Sequence, residues 1–182
     1  AALAADIQAA GFVPGLWVAP LYVSRDSETY AAHPDWWVRD LDGLELAFTN
    51  LGTDDYAVLD VTHPDAAAWL EQTIAGIAAQ GWGYLKFDFL YAGAQVGLRQ
   101  SEVTGIEAYH EAMAILRRAS GDAWILACGA PLLPTVGYAE SFRTLAIGMV
   151  IAPIYPPALL LTAAALMLSF YCTKFAIAHW YM

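Results

Sequence analysis

From Ser141 to Met182 the chain contains no aspartate and no glutamate, although its 182 residues include eighteen of them. Between Arg143 and Lys174 no residue carries any charge. Chemistry that needs a carboxylate must therefore be sought before residue 141. Basic residues are also scarce: eight Lys and Arg leave a formal net charge of −10. That balance argues against nucleic acid and against an anionic membrane surface as partners, since both select cationic proteins. It suits a neutral small-molecule substrate. The two cysteines, Cys128 and Cys172, have neither metal-ligand spacing nor the density of a disulfide framework. His33, His63, His110 and His179 stand alone, none with a second histidine at i+4, so no metal site is expected. Neither G-x-G-x-x-G nor G-x-x-x-x-G-K-S/T occurs, which removes the common nucleotide cradles, and no cofactor is expected.

What is present alternates between strand-like and helix-like runs. Phe12 to Pro20 reads as a buried strand closed by proline, and Tyr56 to Val61 as a second that ends in an acid. Thr62-His63-Pro64-Asp65 has the signature of a helix start, a capping side chain followed by Pro in the first turn. Ala67, Leu70, Ile74 and Ile77 then recur at helical spacing. After the breaker Gly81-Trp82-Gly83 comes Tyr84-Leu85-Lys86-Phe87-Asp88-Phe89. Gly105 to Ala119 is the next helix, with Arg117-Arg118 at the end where cations suit the helix dipole. Ala123 to Cys128 is a fourth strand. Apolar strands separated by single helices predict a parallel sheet of βα units, in the manner of a barrel that gathers its chemistry at the strand ends. The link from Leu21 to Asp55, with His33-Pro34-Asp35-Trp36-Trp37, is long enough to hold extra elements or functional residues. The adjacent Trp36 and Trp37 would serve either as a sugar-stacking platform or as cover for the barrel rim.

The run Tyr84–Phe89 is the most informative. Side chains alternate along a strand, so Lys86 and Asp88 point to one face. Two ionisable groups on one face of a buried strand are either a structural ion pair or part of a site. Asp88 falls at the strand end, before the turn-like Tyr91-Ala92-Gly93, where a barrel would present a catalytic carboxylate with a lysine to keep it ionised.

The first residue is not Met, and Ala1–Ala10 reads as the end of a helix already under way, as though the N-terminus were processed or cut. At the other end, Ala158 to Cys172 is uncharged and mostly apolar, preceded by Pro153, Pro156 and Pro157. This run is short of the roughly 20 residues of a bilayer span, and extending it back crosses the prolines. It reads as a buried barrel helix, an interfacial helix or a segment foreign to the domain.

Taken in order, Gly15-Leu16-Trp17-Val18-Ala19-Pro20, His33-Pro34-Asp35-Trp36, Leu59-Asp60-Val61-Thr62-His63-Pro64, Leu85-Lys86-Phe87-Asp88-Phe89 and Cys128-Gly129-Ala130-Pro131 resemble the melibiase family, retaining α-galactosidases and their relatives. The resemblance covers residues 1–143 and implies a partial (β/α)8 barrel of about five βα units, followed by an apolar tail over 144–182. It implies Asp88 as a catalytic nucleophile that forms a glycosyl-enzyme, Lys86 holding sugar hydroxyls, and Cys128 and Gly129 lining the pocket. Asp60, Trp17, Trp36 and Arg143 complete the candidate substrate-binding set, and the partner implied is an α-galactoside or related oligosaccharide. Retaining hydrolysis also needs a second carboxyl group about 5–5.5 Å from the first, to protonate the leaving oxygen. In the family it follows an Arg, in a segment of the type Arg-Ile-Gly-Pro-Asp-Val-Ala-Pro. Here the match is Arg143 to Pro153, and the acid position falls on Ile147 or Val150 depending on alignment. The chain is thus expected to be either a hydrolase fragment without its general acid or a catalytically silent derivative. A membrane anchor over 147–173 is a third reading.

Overall fold

A computed structural model describes residues 1–50 and 53–142, together with the helical positions 163, 164 and 167. Four strands, β1 (Gly15–Val18), β5 (Tyr84–Phe87), β6 (Trp124–Ala127) and β7 (Ser141–Phe142), form a sheet in the order β1-β5-β6-β7. All three pairings are parallel, with Gly15 opposite Tyr84 and Tyr84 opposite Trp124. Parallel neighbours need a crossover, and helices supply it. α3 (Pro64–Ala78) leads into β5, and α4 (Gly105–Ala119) leads into β6. The short helices α1 (Ala2–Ala9) and α5 (Leu132–Thr135) precede β1 and β7.

The helices start and stop where their sequences dictate. His63 caps α3, its side chain accepting from the Asp65 N–H, and Pro64 occupies the first turn. Thr104 and Glu107 form a reciprocal capping box on α4, whose last turn carries Arg117 and Arg118. α3 and α4 bury Leu70, Ile74, Met113 and Leu116 against one face of the sheet, where Leu85, Phe87 and Ile125 are fully buried. Each such side chain stabilises the fold by about 1.5–3 kcal/mol through burial. The opposite face carries Trp17, Lys86 and Leu126 in register, flanked by Trp124. Trp17 and Trp124 remain about half exposed. This is the inner surface of a barrel arc, which a closed barrel would fill with side chains from its other strands.

The long link after β1 folds into a unit of its own. β2 (Tyr22–Ser24), α2 (Glu28–Ala32), β3 (Ala47–Asn50) and β4 (Thr53–Val58) lie between β1 and α3. The three strands make an antiparallel sheet in the order β2-β4-β3. This corrects the expectation that Tyr56 to Val61 is a barrel strand. Its apolar, β-prone residues fit an antiparallel partner equally well, and the parallel arc has four strands among the described residues. No helix among the described residues is long and apolar enough to cross a membrane. The tail assigned to 144–182 and the boundary before it lie outside the described residues, apart from the three positions named. The same holds for Arg143, Ile147, Val150 and Cys172.

Candidate active site

Asp88 is the first residue beyond β5, and its own N–H donates to the Val18 carbonyl at the end of β1 at 2.9 Å. The carboxylate is thereby fixed between two strand ends, and donors converge on it from three strands. Trp17 Nε1 on β1 donates to Oδ2 at 3.0 Å. Lys86 Nζ on β5 lies 3.2 Å from the same oxygen, as expected for residues two apart on one strand. The Phe89 N–H donates to Oδ1 at 2.9 Å. Cys128, one residue past β6, adds a side-chain hydrogen bond. Burial alone would raise the pKa of this group. The bonds from Cys128, Trp17, the Phe89 backbone and Lys86 outweigh it and bring the pKa down from 3.8 to about 2. At neutral pH Asp88 is an anion with its charge spread over several donors.

The backbone around this carboxylate is unusual. Phe89 sits in the left-handed region, φ 55° and ψ 32°, and is the one non-glycine with positive φ among the described residues. A bulky residue adopts that conformation at a cost of about 1–3 kcal/mol, so surrounding contacts must enforce it. Its ring packs edge-on against Trp17 and Tyr22, with centroids 6.3 and 6.0 Å away. The next residues are stitched to the end of β6. The Leu90 N–H donates to the Cys128 carbonyl at 3.3 Å, and the Tyr91 N–H to the Gly129 carbonyl at 2.6 Å. Behind the ring, burial and a bond with Tyr91 push the Tyr22 phenol well above its ordinary value of 10.

The structure therefore brings together Asp88, Lys86, Trp17, Cys128 and Gly129 from the predicted set. Asp60 and Trp36 do not join them. Asp60 is 2 % exposed, and its carboxylate accepts from the Thr62 N–H (3.0 Å), Thr62 Oγ1 (2.7 Å) and the Gln100 N–H (2.6 Å). It holds the chain after β4 to the loop before α4, and a group so committed has little left to offer a sugar. Trp36 and Trp37 are 5 % and 3 % exposed, so the stacking platform is corrected too. Trp36 lies flat on His33, ring centroids 3.6 Å apart, and beside Trp69 of α3, while Trp37 stacks on Tyr30 of α2. Trp36 thus packs among His33, His63 and α3, and Trp37 against α2. Arg143 falls outside the described residues.

A sequence profile of the melibiase family matches residues 1–118, more than half of the chain. The chain belongs to the melibiase family. Among solved structures, this melibiase chain is similar to TtGalA, an alpha-galactosidase from Thermus thermophilus solved with p-nitrophenyl alpha-D-galactopyranoside. The two share 39% identity at a TM-score of 0.68, over 78% of this chain and 28% of that one. A second TtGalA structure, in complex with stachyose, matches at the same identity and TM-score and is covered to 30%. The alpha-galactosidase AgaA from Geobacillus stearothermophilus shares the fold, with a TM-score of 0.57 at 21% identity, over 78% of this chain and 21% of that one. The melibiase chain thus spans less than a third of the length of these relatives, and its four parallel strands are part of a TIM-type barrel.

Two features of this melibiase site escaped sequence reasoning. The Trp17 indole, expected only among the substrate-binding residues, donates directly to the Asp88 carboxylate. Its place in register with Lys86 follows once β1 and β5 are paired, but pairing is not written in either strand alone. The left-handed Phe89 had no signal, because phenylalanine is among the residues least suited to that conformation.

Proposed function

We propose that this chain carries the nucleophilic half of a retaining α-galactosidase site, with Asp88 as the nucleophile and without a general acid. The observation that carries this reading is the Asp88 carboxylate at the junction of three parallel strand ends, held ionised by four donors. An Asp88 oxygen attacks the anomeric carbon of an α-galactoside from the face opposite the leaving group. The bond to the leaving oxygen breaks with its electron pair, giving a β-linked galactosyl ester on Asp88. A carboxylate with a pKa near 2 is a weak base but also a good leaving group, so the ester is set up for a second displacement. Lys86 and Trp17 line the approach and are placed to bond sugar hydroxyls once ligand displaces them from Oδ2.

The leaving oxygen of a natural galactoside must be protonated as it departs. No carboxylate exists after Glu140, and Asp60 is buried in its own bonds. Loss of a general acid costs about 10²–10⁴ in rate, more for a poor leaving group. The chain should therefore not hydrolyse raffinose or stachyose measurably, whereas 2,4-dinitrophenyl α-galactoside, whose phenolate leaves unaided, should galactosylate Asp88. A silent remnant is the second reading, favoured by the same missing acid.

Intact-mass spectrometry after incubation with the dinitrophenyl galactoside separates the two. One added hexosyl group, mapped to Asp88 and absent in Asp88→Asn, supports nucleophilic competence. Azide, which needs no base, should then release an α-galactosyl azide, because two successive inversions retain configuration. A β-azide would mean direct displacement without a glycosyl-enzyme, and no label at all would leave the silent remnant standing.

A further inference from the structure

We propose that Gly129 is a positioning residue for the Asp88 carboxylate, acting across the strand ends through the left-handed backbone of Phe89. The inference rests on the reading of Asp88 as nucleophile for its catalytic meaning, but its geometry stands independently.

The Phe89 N–H reaches Oδ1 of the preceding side chain at 2.9 Å. This contact belongs to a chain that turns left-handed immediately after Asp88, so the conformation of residue 89 decides whether Oδ1 has its donor. Two things hold that turn. One is the aromatic bracket of Trp17 and Tyr22 around the Phe89 ring. The other is the end of β6. Gly129 itself has φ 57°, and a Cβ placed there would lie 3.3 Å from both Cα and N of Phe89 and 3.4 Å from the Tyr91 ring. The Gly129 carbonyl also accepts the Tyr91 N–H. Two left-handed residues just past the ends of different strands thus lie backbone to backbone, and a side chain at 129 needs the Phe89 backbone to give way by a few tenths of an ångström. Any L-side chain at 129 is strained in φ and presses on the same nitrogen that donates to Asp88. Gly129 then does more than line a pocket: its missing side chain sets where the nucleophile's oxygen points.

The experiment follows the Asp88 carboxyl carbon by NMR in the full chain labelled with ¹³C-aspartate, assigned by its loss in Asp88→Asn, alongside the labelling rate with 2,4-dinitrophenyl α-galactoside. Gly129→Ala should keep its far-UV circular dichroism and raise the Asp88 pKa by about one unit, as expected for losing one backbone donor while Cys128, Trp17 and Lys86 remain. Labelling should slow about tenfold or more. Adding Phe89→Gly to Gly129→Ala leaves residue 129 strained in φ but frees the backbone of residue 89 to shift by the few tenths of an ångström the new Cβ needs, and should recover part of the lost pKa shift. Phe89→Val, which leaves Gly129 intact but resists the left-handed turn, should reproduce the defect and serves if Gly129→Ala does not fold. An Asp88 titration unchanged in folded Gly129→Ala, or in Phe89→Val, overturns the proposal. If the titration moves as expected but the parent chain never labels, positioning stands and the nucleophile reading falls. If the parent labels and both variants titrate and label like it, the reverse holds.

Discussion

Replacing Asp88 by Asn removes one titrating group from a site built around its anion, and the consequence for stability can be worked out from the structure. In the folded chain the Asp88 pKa is about 2, against an ordinary 3.8, a gap of a little under two units. Because the folded value is depressed, the carboxylate contributes stability that is fully present above the unfolded value. That contribution is lost as pH falls through the folded one, between about pH 4 and pH 2. At about 1.36 kcal/mol per unit the gap corresponds to roughly 2.4 kcal/mol. Trp17 is half exposed and Lys86 a third exposed, so solvent screens part of this and the expected figure is about 1–2 kcal/mol. The assay is urea unfolding of the parent and Asp88→Asn from pH 2.5 to 7, followed by far-UV circular dichroism. The parent's stability relative to the variant should be constant above about pH 5 and fall by most of that amount toward pH 2.5. A flat difference across this window would mean the donors do not stabilise the anion. A difference that shrinks between pH 5 and 7 would mean burial dominates and the carboxyl is proton-bearing, a property suited to an acid and opposite to the role assigned here.

Two further variants test the remaining assignments. Trp17→Phe keeps the ring against Phe89 but removes the donor at 3.0 Å from Oδ2; it should leave the fold intact, raise the Asp88 pKa and slow galactosyl labelling about tenfold, all measurable in the NMR and mass assays above. Asp60→Ala strips the acceptor from two backbone N–H groups and a hydroxyl, so urea unfolding should show a loss of about 2–4 kcal/mol, while the molecules that remain folded label at Asp88 at the parent rate; a selective loss of labelling would return Asp60 to the sugar pocket.

Much of this arrangement was legible before any coordinates. Period-two alternation put Lys86 and Asp88 on one face, the capping signal at His63-Pro64 marked the start of α3, and the helical run Gly105 to Ala119 with Arg117-Arg118 at its end marked α4. These are local rules with local causes, and residue type carries them. What failed was non-local. Tyr56 to Val61 has the composition of a strand, but composition does not say which strand it pairs with, and its first residues joined β2 and β3 as part of β4 instead of the parallel arc. Trp36 and Trp37 sit in a long connection, where exposure is the usual expectation, yet both turn inward, Trp36 against His33 and Trp69 and Trp37 against Tyr30. Asp60 ends an apolar run as Asp88 does. The difference between a tether and a nucleophile lies in who donates to each, and those donors, Gln100 for one and Trp17 for the other, are distant in sequence.

The tether at Asp60 bears on the order in which the molecule assembles. Its bond to the Gln100 N–H joins residues 40 apart, and the Thr62 hydroxyl accepts from Ser101 across 39. Closing a flexible loop of that length costs about 3 kcal/mol in chain entropy, comparable to what the bonds return. We expect them to form after α3 and β5 have drawn the two ends together, an order that the folding and unfolding rates of Asp60→Ala would check. Interactions that arrive late slow the unfolding rate and leave the folding rate almost untouched. The buried carboxylate thus acts as a latch, prolonging the lifetime of the assembled loop before α4 without guiding the chain toward it.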